Sequence, residues 1–426
     1  MKFAALFVLF ANAFSAGMMF LASVFISRYG GKELFGFFSV VLGVVMVGAK
    51  TTTLGLDVAI VRFLPKYRSE GAGRASSGIQ RFAIATTILC SLTGAAAFAV
   101  MLHFGRGFSW DIAFAASMSL PLAALLAVFQ NIIRANGNVS RAVVGEVVVR
   151  PASFMFCIVA IQFFLSPGIG LFWISLAYSA ALALALSAAF ALVVVQGQIN
   201  WTGPILLRAG QLREWLSHGL NLLLSESATV LLNQAPILLA GLLLSAAQAG
   251  EMSAIIRLAM LVIFALTAVQ SIITPFLSKA MTDGNRHELQ ALVARASAFT
   301  MLVAVPVCGG FIVLAPLLLS FFGEGYDEAV PLLRIMLVAY FLYASAGPAI
   351  ALLTMTGQHK IARQVVCWAA VILIVAGAAA MLWAGLAMAV WVTAGVIAIY
   401  PHVLAMFCRK TLGVDPTVFS LRFLVR

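Results

Sequence analysis

The chain has 426 residues, of which 63% are hydrophobic and only 9% charged. Soluble domains carry about 25% charged and roughly 45–50% apolar residues, so a soluble enzyme, a disordered tail and a nucleic-acid-binding domain are excluded. The net charge of +12, from 26 Lys and Arg against 14 Asp and Glu, therefore calls for a membrane explanation.

A bilayer-spanning helix needs about 20 apolar residues. Runs of that length fall at 3–27, 35–61, 82–104, 112–133, 143–165 and 169–195. A second set falls at 218–244, 252–278, 296–320, 329–355, 361–383 and 386–407. They predict an all-α membrane protein with about 12 transmembrane helices. The first run exceeds the roughly 7–15-residue apolar stretch of a signal peptide and reads as a span.

Basic residues near membrane helices concentrate on the cytoplasmic side. With the N-terminus placed there, alternation puts 20 of the 26 Lys and Arg on cytoplasmic loops and margins, three outside and three within spans. Both termini are thus expected in the cytoplasm. The longest pieces outside the membrane are an Arg-rich loop at 63–81 and a linker at 197–217. In the linker, Leu206, Leu207, Leu212, Trp215 and Leu216 interleave with Arg208, Arg213 and Glu214, the pattern of a short interfacial helix.

That linker lies at the midpoint of an internal repeat. Phe63-Leu64-Pro65-Lys66 with Gly71 follows the second span, and Phe276-Leu277-Ser278-Lys279 with Gly284 follows the eighth at matching spacing. Gly137 and Ala142 after the fourth span match Gly357 and Ala362 after the tenth. Two parallel six-helix repeats imply two lobes around a central cavity. The expected organisation is an N-lobe at 1–196, the linker at 197–217, a C-lobe at 218–408 and a tail at 409–426.

Ionisable groups inside a span are costly and by default functional. Read as a continuous helix, the second span places Lys50 near the midplane, about 17 Å from the helix end at ~1.5 Å per residue. That is too far to snorkel. Lys50 is expected to contact an anionic group such as a phosphate; a structural ion pair is the alternative. Asp57, two turns further along, is expected to pair with Arg62 or to take part in a gate. Glu226 in the seventh span is a candidate for ion or proton coupling, or for a gate with Lys50.

Asn221, Ser225, Asn233 and Gln234 give the seventh span the polarity of a cavity wall, or of hydrogen-bonded helix contacts. Arg257 in the eighth span and Asn12 in the first are further substrate contacts, whereas Arg334 is expected to snorkel outward. Glu146 and Arg150 should form a local i,i+4 pair. The chain has no G-x-x-x-x-G-K-[ST] loop and no metal-ligand spacing, and its five cysteines are scattered. No cofactor, metal or ATP hydrolysis is expected.

Several stretches carry a family resemblance. Arg28-Tyr29-Gly30-Gly31-Lys32-Glu33-Leu34-Phe35-Gly36, Gly55-Leu56-Asp57 and Val61-Arg62-Phe63-Leu64-Pro65-Lys66-Tyr67 resemble Wzx-type polysaccharide flippases. So do Arg134-Ala135-Asn136-Gly137, Phe322-Gly323-Glu324-Gly325-Tyr326 and Pro331-Leu332-Leu333-Arg334. The superfamily also contains multidrug and toxic-compound exporters and lipid II flippases. The resemblance implies a cavity lined by spans one, two, seven and eight. It implies alternating access that carries a polyprenyl-diphosphate-linked oligosaccharide from the cytoplasmic to the outer leaflet of a bacterial inner membrane. Arg62 and Lys66 would then meet the diphosphate at the cytoplasmic mouth. Expected partners are this lipid-linked substrate, the bilayer and polysaccharide polymerase or assembly proteins, with no nucleic acid. The alternatives are an ion-coupled multidrug exporter of the same fold and a membrane polysaccharide polymerase or ligase.

Overall fold

A computed structural model describes residues 2–164, 170–199, 209–282 and 286–423. Two compact units divide the chain, Met1–Gln234 and Ala235–Arg426. Among the described residues there are helices but no strands, as a bilayer requires when every backbone polar group must be satisfied within its own segment.

The first unit opens with α1 (Lys2–Thr52). A straight helix of 51 residues would run about 76 Å at ~1.5 Å per residue, far beyond the ~30 Å hydrocarbon core. The chain resolves this at Gly31, whose φ of 81° lies in the left-handed region and separates two helical arms. After α2 (Leu56–Ser69) come α3 (Gly73–Arg106), α4 (Trp110–Ser117) and α5 (Ser119–Ala135). Next, α6 (Val139–Val143) runs through a π-helical turn at Val144–Val149 into α7 (Arg150–Phe164). Then comes α8 (Leu171–Val195), while α9 (Ala209–Leu243) begins in this unit and ends in the other.

The second unit holds α10 (Ala246–Thr282), α11 (Arg286–Ser320), α12 (Ala329–Ser345), α13 (Ala349–Met355) and α14 (His359–Leu412). In α14, Gly385 with φ 73° separates two helices, as Gly31 does in α1. Nine helices among the described residues are long and apolar enough to cross a membrane, and α12 with α13 forms a tenth, bent span. With α12–α13 taken as one span and two arms each for α1 and α14, the described residues match the expected twelve spans.

Packing in the first unit centres on aromatic rings. Phe38 of α1, Phe154 of α7 and Tyr178 of α8 form a triangle with centroid separations of 5.3–6.0 Å. In the second unit Val293 of α11, Leu352 and Leu353 of α13, and Leu404 and Cys408 of α14 share one buried cluster.

The two units repeat a tethering device. Near the start of α3, Gln80 donates its amide to the Gln198 carbonyl at 3.2 Å, tying down the stretch that follows α8. Near the start of α11, Gln290 donates to the Asp415 carbonyl at 3.0 Å and accepts the Asp415 N–H at 2.7 Å. That contact ties down the stretch that follows α14. Each half thus returns its end to its own third span.

Two local expectations are corrected, and the linker is described only in part. The second span is not continuous from 35 to 61: α1 ends at Thr52 and α2 starts at Leu56. The Arg-rich stretch 63–81 is not a loop, because only 70–72 lie outside α2 and α3. In the expected linker, 209–217 form the first turns of α9, while 200–208 lie outside the described residues. The side chains of Phe276, Ser278 and Lys279, and all of Gly284, also lie outside them.

Candidate functional site

The break after α1 builds the site. Thr51-Thr52-Thr53-Leu54-Gly55 follows Lys50, and threonine hydroxyls compete for backbone carbonyls. Thr51 and Thr52 donate to the Gly48 carbonyl at 3.0 and 2.8 Å, and Thr53 donates to the Lys50 carbonyl at 2.9 Å. Of these acceptors, the Lys50 carbonyl is among the last four that a helix end leaves without an amide partner. Leu54 (φ 52°) and Gly55 (φ 70°) then turn through the left-handed region.

Gly55 has a second reason to be glycine. A Cβ there would lie 2.0 Å from the Gly219 carbonyl oxygen of α9, and a Cβ on Gly219 would lie 2.6 Å from the Leu54 oxygen. The broken turn and α9 therefore touch backbone to backbone. Beside this contact, Trp215 of α9 donates its indole N–H to the Tyr67 hydroxyl of α2 at 2.8 Å. Phe63 stacks on Tyr67 and lies 5.4 Å from the His218 ring.

The break brings the C-terminus of one helix to the N-terminus of the next. Lys50 stands in the last turn of α1 and Asp57 in the first turn of α2, so each charge complements its helix dipole. Lys50 Nζ lies 3.1 Å from Asp57 Oδ2 and 3.4 Å from Glu226 Oε2. Asp57 Oδ1 accepts the Thr53 hydroxyl at 3.0 Å, and Asn131 of α5 reaches Asp57 Oδ2 at 3.5 Å. Arg134, one turn further along α5, donates to Asn131 Oδ1 at 3.1 Å.

Exposure separates the two carboxylates. The Asp57 side chain is 1% exposed, Lys50 27% and Glu226 49%. Lys50 thus meets a buried carboxylate on one side and a half-exposed one on the other. One lysine between two carboxylates leaves the cluster with one surplus negative charge when all three are ionised. Asp57 pairs with Lys50, correcting its expected pairing with Arg62. The break reorients α2 so that Leu56, Asp57, Ile60, Phe63, Leu64 and Tyr67 are buried, while Arg62 and Lys66 fall on its exposed side. The Arg62 guanidinium lies over the Phe63 ring, 6.0 Å from its centroid.

Other sequence candidates are placed as follows. Asn12, Asn221 and Asn233 donate to the carbonyls of Val8, Ser217 and Thr229, four residues back along their own helices. Gln234 donates to Met46 Sδ of α1 at 3.2 Å. Ser225 lies on α9 with its side chain outside the described residues. Arg257, in the second unit, donates from Nε to Ser253 Oγ at 3.2 Å. Arg334 donates to the Ile312 carbonyl at 3.2 Å. Glu146 and Arg150 approach to 3.9 Å.

Thr53 and Asn131 are site residues that hydropathy reading misses; the Thr-Thr-Thr-Leu-Gly run is the one signal for the first. Gln130 is another. In the orientation that satisfies both amide atoms, it donates to Glu146 Oε2 at 2.7 Å and accepts the Glu146 N–H at 3.1 Å. It thereby serves the widened π turn, a feature frequent at functional sites. A cavity of about 600 Å³ in the first unit is bounded by Leu92, Ala99, Phe114, Pro121 and Leu176 with Asp111. Lys50, Asp57 and Glu226 are not part of that wall. Among the described residues no group of three His, Cys, Asp or Glu is arranged to hold a metal ion.

Comparison with known proteins gives a family and a fold. The family model described as "Polysaccharide biosynthesis protein" matches residues 25–331. No curated protein sequence matches the chain. Among solved structures, the inward-facing conformation of a multidrug resistance MATE family transporter of the MOP superfamily is similar, with a TM-score of 0.76 and 14% identity. The match covers 94% of each chain. The outward-facing conformation of a MATE family transporter matches with a TM-score of 0.62 and 16% identity, over 96% of this chain and 94% of the other. A MATE in complex with MaD3S matches at 0.62 and 17%, over 99% and 96%. The chain belongs to the polysaccharide biosynthesis protein family and shares the fold of MATE family transporters.

Proposed function

We propose that the protein is a flippase that carries polyprenyl-diphosphate-linked oligosaccharide units from the cytoplasmic to the outer leaflet of a bacterial inner membrane by alternating access. Both termini lie in the cytoplasm in this reading. One observation carries it: in a chain of a polysaccharide biosynthesis family, Lys50 is held on one side by buried Asp57 and meets only the half-exposed Glu226 on the other. An ammonium so placed is a strongly hydrated point charge with three donors, suited to a phosphate oxygen. Arg62 and Lys66, exposed on α2, supply a basic approach at the cytoplasmic mouth. Asn12 in the first unit and Arg257 in the second are further proposed substrate contacts, and Asn221, Ser225, Asn233 and Gln234 of α9 the proposed polar wall of a cavity. Polysaccharide polymerase or other assembly proteins would take over the delivered unit.

The surplus negative charge at the site favours a second reading, export of small organic cations. Reconstitution into proteoliposomes separates the two. A fluorescent lipid-linked oligosaccharide placed in one leaflet should become accessible in the other at a protein-dependent rate. Uptake of organic cations with no movement of the lipid-linked sugar would favour the exporter.

A further inference from the structure

The two carboxylates at Lys50 are held in different ways, and the difference points to a role for Glu226. Asp57 is locked. It is 1% exposed, bonded to Thr53 and faced by Asn131, and it sits across a single turn from Lys50. Glu226 is loose by comparison, with 49% exposure and a longer 3.4 Å contact. Two carboxylates already face the one lysine, so an arriving diphosphate meets like-charge repulsion there while Glu226 stays in place.

We propose that Glu226 is an exchangeable counter-ion, occupying on Lys50 the position that a substrate phosphate takes. The proposal rests on the flippase reading. Entry of the diphosphate displaces Glu226 from Nζ into water; Asp57 stays, so Lys50 keeps its orientation through the exchange. Return of Glu226 to Lys50 competes the phosphate off again. The same carboxylate that weakens loading therefore speeds release, and the empty protein never leaves Lys50 without a partner on the side away from Asp57. No covalent bond or proton transfer is needed.

Binding of a sugar-free polyprenyl diphosphate to the full-length protein in nanodiscs of zwitterionic lipid tests this. An exposed ion pair is worth a small energy, so E226Q should bind about 3- to 10-fold more tightly than the wild type, and E226A likewise. K50Q should bind at least as many times more weakly. In single-turnover release, E226Q should let go of the lipid more slowly by a similar factor. Equal or weaker binding by monodisperse E226Q and E226A, with wild-type binding dependent on Lys50, would overturn the exchange and leave the flippase reading intact. Absence of diphosphate binding by the wild type, or wild-type affinity in K50Q, would instead overturn the phosphate contact on which both stand.

Discussion

Lys50 Nζ and Asp57 Oδ2 meet at 3.1 Å across a break in which one helix ends and the next begins. The pair is asymmetric, because Asp57 is buried and Lys50 is not. Removing the lysine alone leaves a buried carboxylate without its counter-charge, an arrangement that destabilises proteins by about 3–5 kcal/mol. Lys50→Ala should therefore lower thermal stability in detergent as well as function. Lys50→Gln combined with Asp57→Asn should recover most of that loss, since no buried charge remains. A double-mutant cycle isolates the coupling; additive effects on the melting temperature would contradict the pairing.

The contact between Gly55 and Gly219 allows a sharper test. Gly55→Ala places a methyl 2.0 Å from the Gly219 oxygen on a backbone with positive φ, so the broken turn must pull away from α9. The variant should express poorly or melt well below the wild type, by an amount at the upper end for single substitutions, above about 4 kcal/mol. Gly17, with nothing within 4 Å of its added methyl, is the control. Gly17→Ala should be neutral or slightly stabilising, since alanine favours helix by about 1 kcal/mol.

Tyr67 and Trp215 hold α2 against α9 through one buried hydrogen bond. Tyr67→Phe and Trp215→Phe should each destabilise by about 1–2 kcal/mol, because the remaining polar group loses its partner in a buried setting. The double variant should lose less than the sum. Urea or thermal unfolding followed by the fluorescence of the other tryptophans measures the coupling, and strict additivity would show that the bond contributes nothing.

In the second unit the tail is tied to α11 by Gln290, and by Ser297, which donates to the Pro416 carbonyl at 2.5 Å. Arg409 pairs with Asp415 at 2.9 Å. Gln290→Ala removes both bonds to the Asp415 backbone and should destabilise by about 1–3 kcal/mol. Limited proteolysis should then cut after Gly413 sooner than in the wild type. Equal protection of the tail would mean that Ser297 and Arg409 suffice.

Hydropathy and loop charge made the twelve spans and the helical class legible, because a span is defined by its length and its lack of charge. They could not reveal the break at Thr53–Gly55. Apolar residues continue on both sides of it, and a window average takes no account of backbone dihedrals. The misreading carried through to the site. On a straight helix Asp57 would stand two turns from Lys50 and closer to Arg62, whereas the break sets it against Lys50 and turns Arg62 to the exposed side of α2. Lys50 and Glu226 were legible as charges within spans, and the structure brings them together. Thr53, Asn131 and Gln130 were not, since a neutral polar residue in a span has no signature until its partner is known. Trp215 looked interfacial because it is aromatic among charges; its buried ring and its bond to Tyr67 make it part of the packing of α9.

In the proposed reading Lys50, presented by Asp57, is the contact through which a lipid-linked diphosphate is moved. The most direct measurement is the flipping rate of a polyprenyl-diphosphate-linked oligosaccharide in proteoliposomes containing the Lys50→Gln/Asp57→Asn protein, which keeps the packing but carries no charge at the pair. Transfer at least tenfold slower than wild type, with near-wild-type melting and normal insertion, is the predicted result. Transfer at the wild-type rate would contradict it.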